Sequence, residues 1–415
     1  MELSWDLLSN LAGQYGESFY LLNLKRFDAN YRDFQSAFQS IYPHTRLAFS
    51  YKTNYTPALC RYANSLGSYA EVVSMMEYDL AIQVGVAPGN IIFNGPLKTA
   101  SDIEKAVKAG STVNLDSFHE ALLVGILARK EPELEISVGI RCNFDIGTDY
   151  VSRFGCDVGG GEVDRIFEYL GKISNCRVKG LHCHFSTPHR SIGSYYLRAK
   201  KMIEISKACF GDRIPDFLDL GGGFFGEIDK DFAKQFAFYC PTYEDYAQAI
   251  APQFKEAYPQ DRGPELILEP GIALLGNVMK FVCMISAVKS VGTQKLAVST
   301  GSIYNVKPTF NEKNLPITVY RKETNSTLSE EAMGGAFDIV GYTCMEKDYL
   351  YRGYESSLSE GDFVVFDNVG AYTIVLTPPF IQTSPAIISC NASLDKFEVI
   401  RRRQELQDIL ATFIF

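Results

Sequence analysis

Four apolar runs in the first part of the chain end near Lys52, Val73, Asn94 and Leu115, at a constant interval of 21 residues. That interval accommodates one strand, one helix and two turns. Helical patterns fill the gaps: 57–65, 74–84 with Met76, Leu80 and Val84 on one face, and 101–109. Ser101-Asp-Ile-Glu104 has the order of a capping box, a serine at the cap and a glutamate three residues on, and predicts a helix start there. Further strands are predicted over 135–141, 178–185, 216–220 and 265–268, which brings the count to eight. Eight strands alternating with helices within about 250 residues imply an α/β fold, a parallel sheet closed into a TIM-like (β/α)8 barrel.

After Gly276 the texture changes to short β-like runs over 278–288, 294–299, 362–367 and 372–377, separated by Gly, Pro, Asn and Ser clusters. We expect a barrel over 23–276 followed by an all-β C-terminal domain over 277–415. The N-terminal segment 1–22 contains a strand-like run, Glu17-Ser-Phe-Tyr-Leu-Leu22, and is expected to join that β-domain. The polar stretch 323–330 is the expected mobile loop.

Composition narrows the function further. The chain is 46% hydrophobic and 21% charged over 415 residues, enough to bury a large core in two domains. A net charge of −9 and a pI near 5.3 argue against nucleic acid or an anionic membrane as partner. The first residues, Met1-Glu-Leu-Ser-Trp-Asp6, lack the basic stretch of a secretory signal, and no apolar run is long enough for a bilayer, so a cytoplasmic protein is expected. Ten cysteines stand singly with no Cys-x-x-Cys pair, which fits small buried hydrophobes in a reducing compartment, with Cys344 set aside.

In a closed barrel the loops at the carboxyl ends of the strands converge on one site. Lys52, His184, the glycines Gly221, Gly222 and Gly223, and Glu269 all fall at such ends. Each alone is ordinary: a solvated lysine, a core histidine, a tight turn, a salt-bridge partner. Together they supply an amine, a flat ring, backbone amides open to a phosphate and an acid, which is what a pyridoxal phosphate site needs. Gly271, two residues after Glu269, is a second glycine candidate. The competing reading is a metal hydrolase, because His182 and His184 alternate on one strand and face one side. His44 and His119 precede them and only His189 follows, so the later strands cannot complete a two-metal cluster and no metal is expected.

A longer series of motifs runs in order along the chain. It comprises Tyr51-Lys-Thr-Asn54, Glu71-Val-Val-Ser-Met-Met-Glu77, Ile91-Ile-Phe-Asn-Gly95, Asp116-Ser-Phe-His-Glu120 and Arg153-Phe-Gly155. His182-Cys-His-Phe-Ser-Thr187, Asp219-Leu-Gly-Gly-Gly223, Glu269-Pro-Gly271, Gly341-Tyr-Thr-Cys-Met-Glu-Lys-Asp348 and Gly370-Ala-Tyr372 follow. Over nearly the whole chain this series resembles the fold type III pyridoxal-phosphate decarboxylases, the family of diaminopimelate, ornithine and arginine decarboxylases.

The resemblance implies Lys52 as the lysine that holds pyridoxal 5'-phosphate, His184 stacked on its ring and Glu269 at its ring nitrogen. It places Gly221, Gly222, Gly223, Gly271 and Tyr372 around the phosphate, and Thr187 among the cofactor contacts. It also implies a homodimer with active sites shared across the interface, in which the partner subunit's Cys344 returns a proton to the substrate α-carbon. Met345, Glu346, Asp348, Lys307 and Asn311 fall where such enzymes read their substrates. Racemase relatives pair the ring nitrogen with an arginine, whereas a carboxylate there favours decarboxylation.

Departures from the family pattern bear on the substrate. Ile272 stands where arginine usually follows Glu-Pro-Gly, and Met345 stands where an acid usually follows the cysteine, with Glu346 one place late. Lys307 precedes Pro308 where arginine is common, and Asn311 takes a place often held by tyrosine in diaminopimelate decarboxylases. A clamp for a second carboxylate is therefore not expected, which disfavours meso-diaminopimelate. The resemblance implies a carboxy-lyase of amino-acid or polyamine metabolism. It would decarboxylate an amino acid or conjugate with an amine-bearing side chain, giving a primary amine and carbon dioxide. The alternatives are a racemase or epimerase on the same cofactor and a non-catalytic, decarboxylase-like regulator.

Overall fold

A computed structural model of the chain describes residues 3–147, 152–185, 187, 189–258, 262–322, 336–390 and 396–414. It forms two compact units, one of Asn30–Gly226 with Phe238–Leu274, the other of Met1–Ala29, Glu227–Ala237 and Leu275–Phe415.

The first unit is the expected barrel. Thr45–Ser50, Tyr69–Val72, Ile91–Phe93, Thr112–Leu115, Ile136–Asn143, Cys176–His182, Phe217–Asp219 and Glu265–Leu268 pair in that order, all parallel. The ring closes where Leu268 pairs with Leu47. Strands covered on both faces carry continuous apolar runs, which is why each repeat announced itself in the sequence. Inside, Ala48, Ile92, Phe217 and Ile267 pack together. The Phe217 ring is accommodated by two glycines: a Cβ on Gly180 would lie 2.6 Å from it, and one on Gly139 would lie 2.9 Å away.

Two local expectations are corrected. The third predicted helix, Ala100–Lys108, is capped by Thr99 rather than Ser101. Thr99 Oγ1 accepts from Asp102 N at 3.2 Å while the Asp102 carboxylate accepts from Thr99 N at 2.9 Å, so an aspartate closes the box two residues early. In Met75–Gln83 the buried face is Glu77, Tyr78 and Ala81, and Met76 is 59% exposed. The Glu77 carboxylate turns inward to accept Val73 N at 2.8 Å, which sets the rotation of the helix against its apolar pattern.

The second unit is built on a nine-stranded sheet. Ser18–Leu22 lies between Met279–Val291, antiparallel, and Ala386–Cys390, parallel. The predicted strands 294–299 and 362–367 appear as Gln294–Ser299 and Phe363–Phe366. A helix the sequence reading did not foresee, Trp5–Tyr15, buries Leu8 and Leu11 against Phe19, Val282 and Phe363 of this sheet. The predicted strand over 372–377 is instead a turn. Tyr372 adopts φ 58°, which no strand tolerates, and Thr377 Oγ1 folds back onto Thr373 O at 2.6 Å. The stretch 323–330 lies outside the described residues. Among the described residues no helix is long and apolar enough to cross a membrane.

Candidate active site

All eight barrel strands deliver a polar side chain at or just beyond the carboxyl end. Lys52 stands in the single turn Tyr51–Thr53 that follows the first strand, and its amine pairs with the Glu71 carboxylate of the second. Glu71 is fully buried and also accepts from Ser50 Oγ at 2.5 Å and from Asn94 Nδ2 at 3.4 Å. Asn94 donates in turn to Glu269 and accepts from Asn114 Nδ2 at 2.7 Å. A continuous polar chain therefore runs from Lys52 through Glu71 and Asn94 to Glu269.

Glu269 is held from the other side by the histidines. His182 Nε2 lies 3.3 Å from Glu269 Oε1, within ion-pair distance though not aligned for a hydrogen bond. His184 Nδ1 lies 3.5 Å from Oε2 and accepts the Gly222 N–H at 2.9 Å. The two rings thus face one side, as their spacing predicted. Burial pushes both imidazoles down, His184 to about 3, so both are neutral at pH 7. Asp219, paired in register with His182, completes the cluster. Its place in the Asp219-Leu-Gly-Gly-Gly223 motif does not by itself assign it a role. Its Oδ1 accepts from Gly221 N at 2.8 Å and its Oδ2 is buried without a partner.

Two buried carboxyls side by side do not both ionise. Burial and the adjacent Glu269 push Asp219 well above the usual carboxylic range. Burial works against the Glu269 anion, but the Lys52 charge and the Asn94 amide donated to it favour the anion, and Glu269 is held well below that range. The negative charge therefore sits on Glu269 and the proton on Asp219. His182, Asp219 and Glu269 also place one potential metal-ligand atom each within 4.8 Å of one another.

The glycines make a close backbone surface. A Cβ on Gly222 would lie 2.1 Å from the Glu269 carbonyl oxygen, one on Gly221 2.5 Å from Cys183 O, and one on Gly271 2.2 Å from Thr53 Oγ1. Gly221 and Gly223 adopt φ of 67° and 92°, open to glycine at little cost. The amides of Gly223 and Gly271 have no acceptor among the described residues. Gly222→Ala is expected to lower the stability of the cofactor-free protein by about 1–3 kcal/mol, because the added methyl meets backbone that cannot step aside. Thermal unfolding followed by circular dichroism checks this, and an unchanged midpoint would contradict it.

Thr187 is buried, with its hydroxyl 3.4 Å from Ser194 Oγ. Arg141, which the sequence reading passed over, pairs with Asp116 at 3.3 Å and donates to the His184 carbonyl at 2.8 Å. Glu71, Asn94 and Asn114 were also missed as site residues. Their signal was a single polar residue at the end of an otherwise apolar run.

The remaining predicted residues belong to the β-unit. Cys344 is exposed, whereas Cys60, Cys142, Cys156, Cys183 and Cys283 are buried. Glu346 is exposed, and Met345 accepts the Tyr304 hydroxyl on its sulfur at 3.3 Å. Asp348, expected at the substrate, is buried and anchors its own loop. Its carboxylate accepts from Ile303 N at 2.6 Å and from Thr343 N and Oγ1 at 3.0 and 2.6 Å, which occupies both oxygens. Lys307 and Asn311 do come together, lining a cavity of about 510 Å³ with Glu312, Lys347, Tyr349 and Arg352. Tyr372 stands in the turn described above.

A closed parallel barrel with a lysine, a buried anionic carboxylate and a glycine cradle at its carboxyl end defines a pyridoxal-phosphate class of site. The cradle, the unpaired amides and the unpartnered Thr53 and Asp219 oxygens fit that group. The family profile described as pyridoxal-dependent decarboxylase, pyridoxal binding domain, matches residues 24–276, and the chain belongs to that family. It is 25% identical to the diaminopimelate decarboxylase of Haemophilus influenzae, over 97% of this chain and 95% of that protein. The Archaeoglobus fulgidus diaminopimelate decarboxylase is 26% identical over 97% and 94%. Among solved structures, the diaminopimelate decarboxylase from M. jannaschii superposes with a TM-score of 0.86 at 24% identity, covering 98% of this chain and 94% of that one. The lysine/ornithine decarboxylase of Vibrio vulnificus, complexed with putrescine, gives 0.76 at 19% identity over 93% and 98%. These likenesses show a shared fold.

Proposed function

We propose that the chain decarboxylates an α-amino acid carrying a distal amine, with pyridoxal phosphate held by Lys52. The single observation that carries this reading is the buried chain Lys52, Glu71, Asn94, Glu269, which joins an amine to an anionic acid at the carboxyl end of the barrel. When bound, the cofactor supplies an electron sink for the charge left at the substrate α-carbon.

The residues of the chain do the rest. A lysine must lose its proton to act as a nucleophile, and Glu71, touching the Lys52 amine, is the group placed to take and return that proton. Glu269, ionised and buried, would stabilise a proton on the ring nitrogen of the bound cofactor through its charge. His184 keeps its ring neutral and its Nδ1 tied to the Gly222 amide, so it offers a flat face without competing for that proton. Arg141 fixes the backbone of His184. Gly223 and Gly271 offer backbone amides to a phosphate, while Gly221 and Gly222 give theirs to Asp219 and His184 and keep the turn free of side chains. Cys344, contributed across a homodimer, is the proposed proton donor to the α-carbon, and the compartment is the cytoplasm.

A second reading narrows the substrate to one with an additional carboxylate, as in the diaminopimelate named for several relatives. What supports it is the β-unit cavity, where Lys307, Lys347 and Arg352 face a single acid, Glu312. Ile272 and Asn311 remove the expected clamp, but these cations supply the charge for another. Burial, with help from Arg352, pushes Lys307 down to about 8, so it is charged below that pH and neutral above. Carbon dioxide release from lysine, ornithine, arginine, diaminopimelate and a carboxy-polyamine separates the readings. Turnover of diaminopimelate with KM rising several-fold above pH 8, roughly one pH unit per tenfold loss of charge, supports the second. Turnover of the mono-carboxylates with a flat KM supports the first, and no release from any member sinks both.

A further inference from the structure

Arg198, on the helix Ile192–Phe210, is fully buried, the largest of the side chains so enclosed. Its guanidinium donates to three backbone carbonyls, Nη1 to Leu220 O at 3.1 Å and Gly222 O at 3.3 Å, and Nη2 to Phe185 O at 2.6 Å. The Tyr195 and Phe185 rings lie 4.3 and 4.8 Å from its central carbon, and its Nε has no partner. Among the described residues no carboxylate lies within ion-pair distance of it. A guanidinium keeps its proton in a protein interior. The barrel therefore holds a full positive charge answered, among the described residues, by carbonyl dipoles and two aromatic rings rather than by an acid, and buried ions are normally paired.

The position of that charge is specific. Gly222 O is gripped twice, by Arg198 and by the Tyr195 hydroxyl at 3.0 Å. A trans peptide is planar, so a carbonyl held toward one side turns the following N–H toward the other. The following N–H is that of Gly223, which points away from Arg198 and lacks an acceptor among the described residues. Meanwhile the residue after Pro270 and Gly271 is Ile272, which carries no charge.

We propose that Arg198 is a positioning residue for the cofactor phosphate. It orients the Gly221, Gly222 and Gly223 turn through its carbonyls, and it supplies, from behind that turn, the positive charge that Ile272 does not. This rests on the pyridoxal-phosphate reading of the barrel. It explains why a permanently charged group is buried beside a glycine turn with no acid of its own.

Pyridoxal has the ring and aldehyde of pyridoxal phosphate but no phosphate, and the two ligands separate this role from general support of the fold. Cofactor-free protein titrated by calorimetry is expected to lose at least about tenfold in pyridoxal phosphate affinity on Arg198→Met, and less than about twofold in pyridoxal affinity. Arg198→Lys, which keeps the charge, is expected to lose less than Arg198→Met. Equal losses for the two ligands, no loss for either, or a lysine variant no better than the methionine one would overturn the proposal. Should Arg198→Met not fold, as judged by circular dichroism, the wild type still decides. Inorganic phosphate is expected to raise its thermal midpoint and to compete with pyridoxal phosphate, and no shift together with equal affinity for both ligands would overturn the assignment. A wild type that takes up neither ligand would instead refute the cofactor reading itself.

Discussion

Lys52→Ala is expected to abolish carbon dioxide release, by at least about a thousandfold in kcat/KM, and to remove the visible absorbance of a lysine-bound cofactor. The expectation follows from placement: Lys52 sits in the turn after the first strand, with its amine on Glu71. The fold is expected to survive the change, because Glu71 keeps the Ser50 and Asn94 donors when the amine is gone. Adding free alkyl amines is expected to restore part of the rate, since the missing group is chemically simple. An alanine variant with wild-type turnover would remove the basis of the proposed function.

Glu269→Gln is expected to cost about a hundred- to a thousandfold in kcat, with pyridoxal phosphate affinity changed far less. Glutamine keeps the shape and the Asn94 contact but loses the charge that holds a ring-nitrogen proton. With that charge gone, burial still holds the Asp219 carboxyl up but the repulsion from Glu269 no longer adds to it, and Asp219 is expected to titrate lower than in the wild type. It does not substitute for Glu269, because its Oδ1 remains committed to the Gly221 amide. A pH profile of kcat and a spectrum of the bound cofactor report both effects. A Glu269→Gln enzyme within about threefold of wild type would place the decisive acid elsewhere.

How much of this was legible beforehand depends on whether the signal was periodic or spatial. The barrel strands were readable because burial on both faces demands apolar runs, and a constant repeat demands a constant spacing. Helix details were less so. The cap at Thr99 and the inward Glu77 depend on single hydrogen bonds that displace an apolar pattern by one or two residues. The strand predicted over 372–377 failed because its apolar residues were read without the positive φ of Tyr372, which sequence composition does not reveal.

The site divides in the same way. Lys52, His184, the glycines and Glu269 were visible because each breaks an apolar run at its carboxyl end, and that position is a property of the chain alone. Glu71, Asn94, Asn114, Asp219 and Arg198 look like ordinary polar residues until the ring closes and sets them against one another. Asp348 carries a further contact that the sequence does not reveal, since its carboxylate holds its own loop. The order of residues determined the barrel, the candidate lysine and acid, and the family. Which carboxyl keeps the charge, and where a buried arginine points its donors, were decided only by tertiary structure. Ionisation and hydrogen-bond direction depend on distances between groups that stand far apart along the chain.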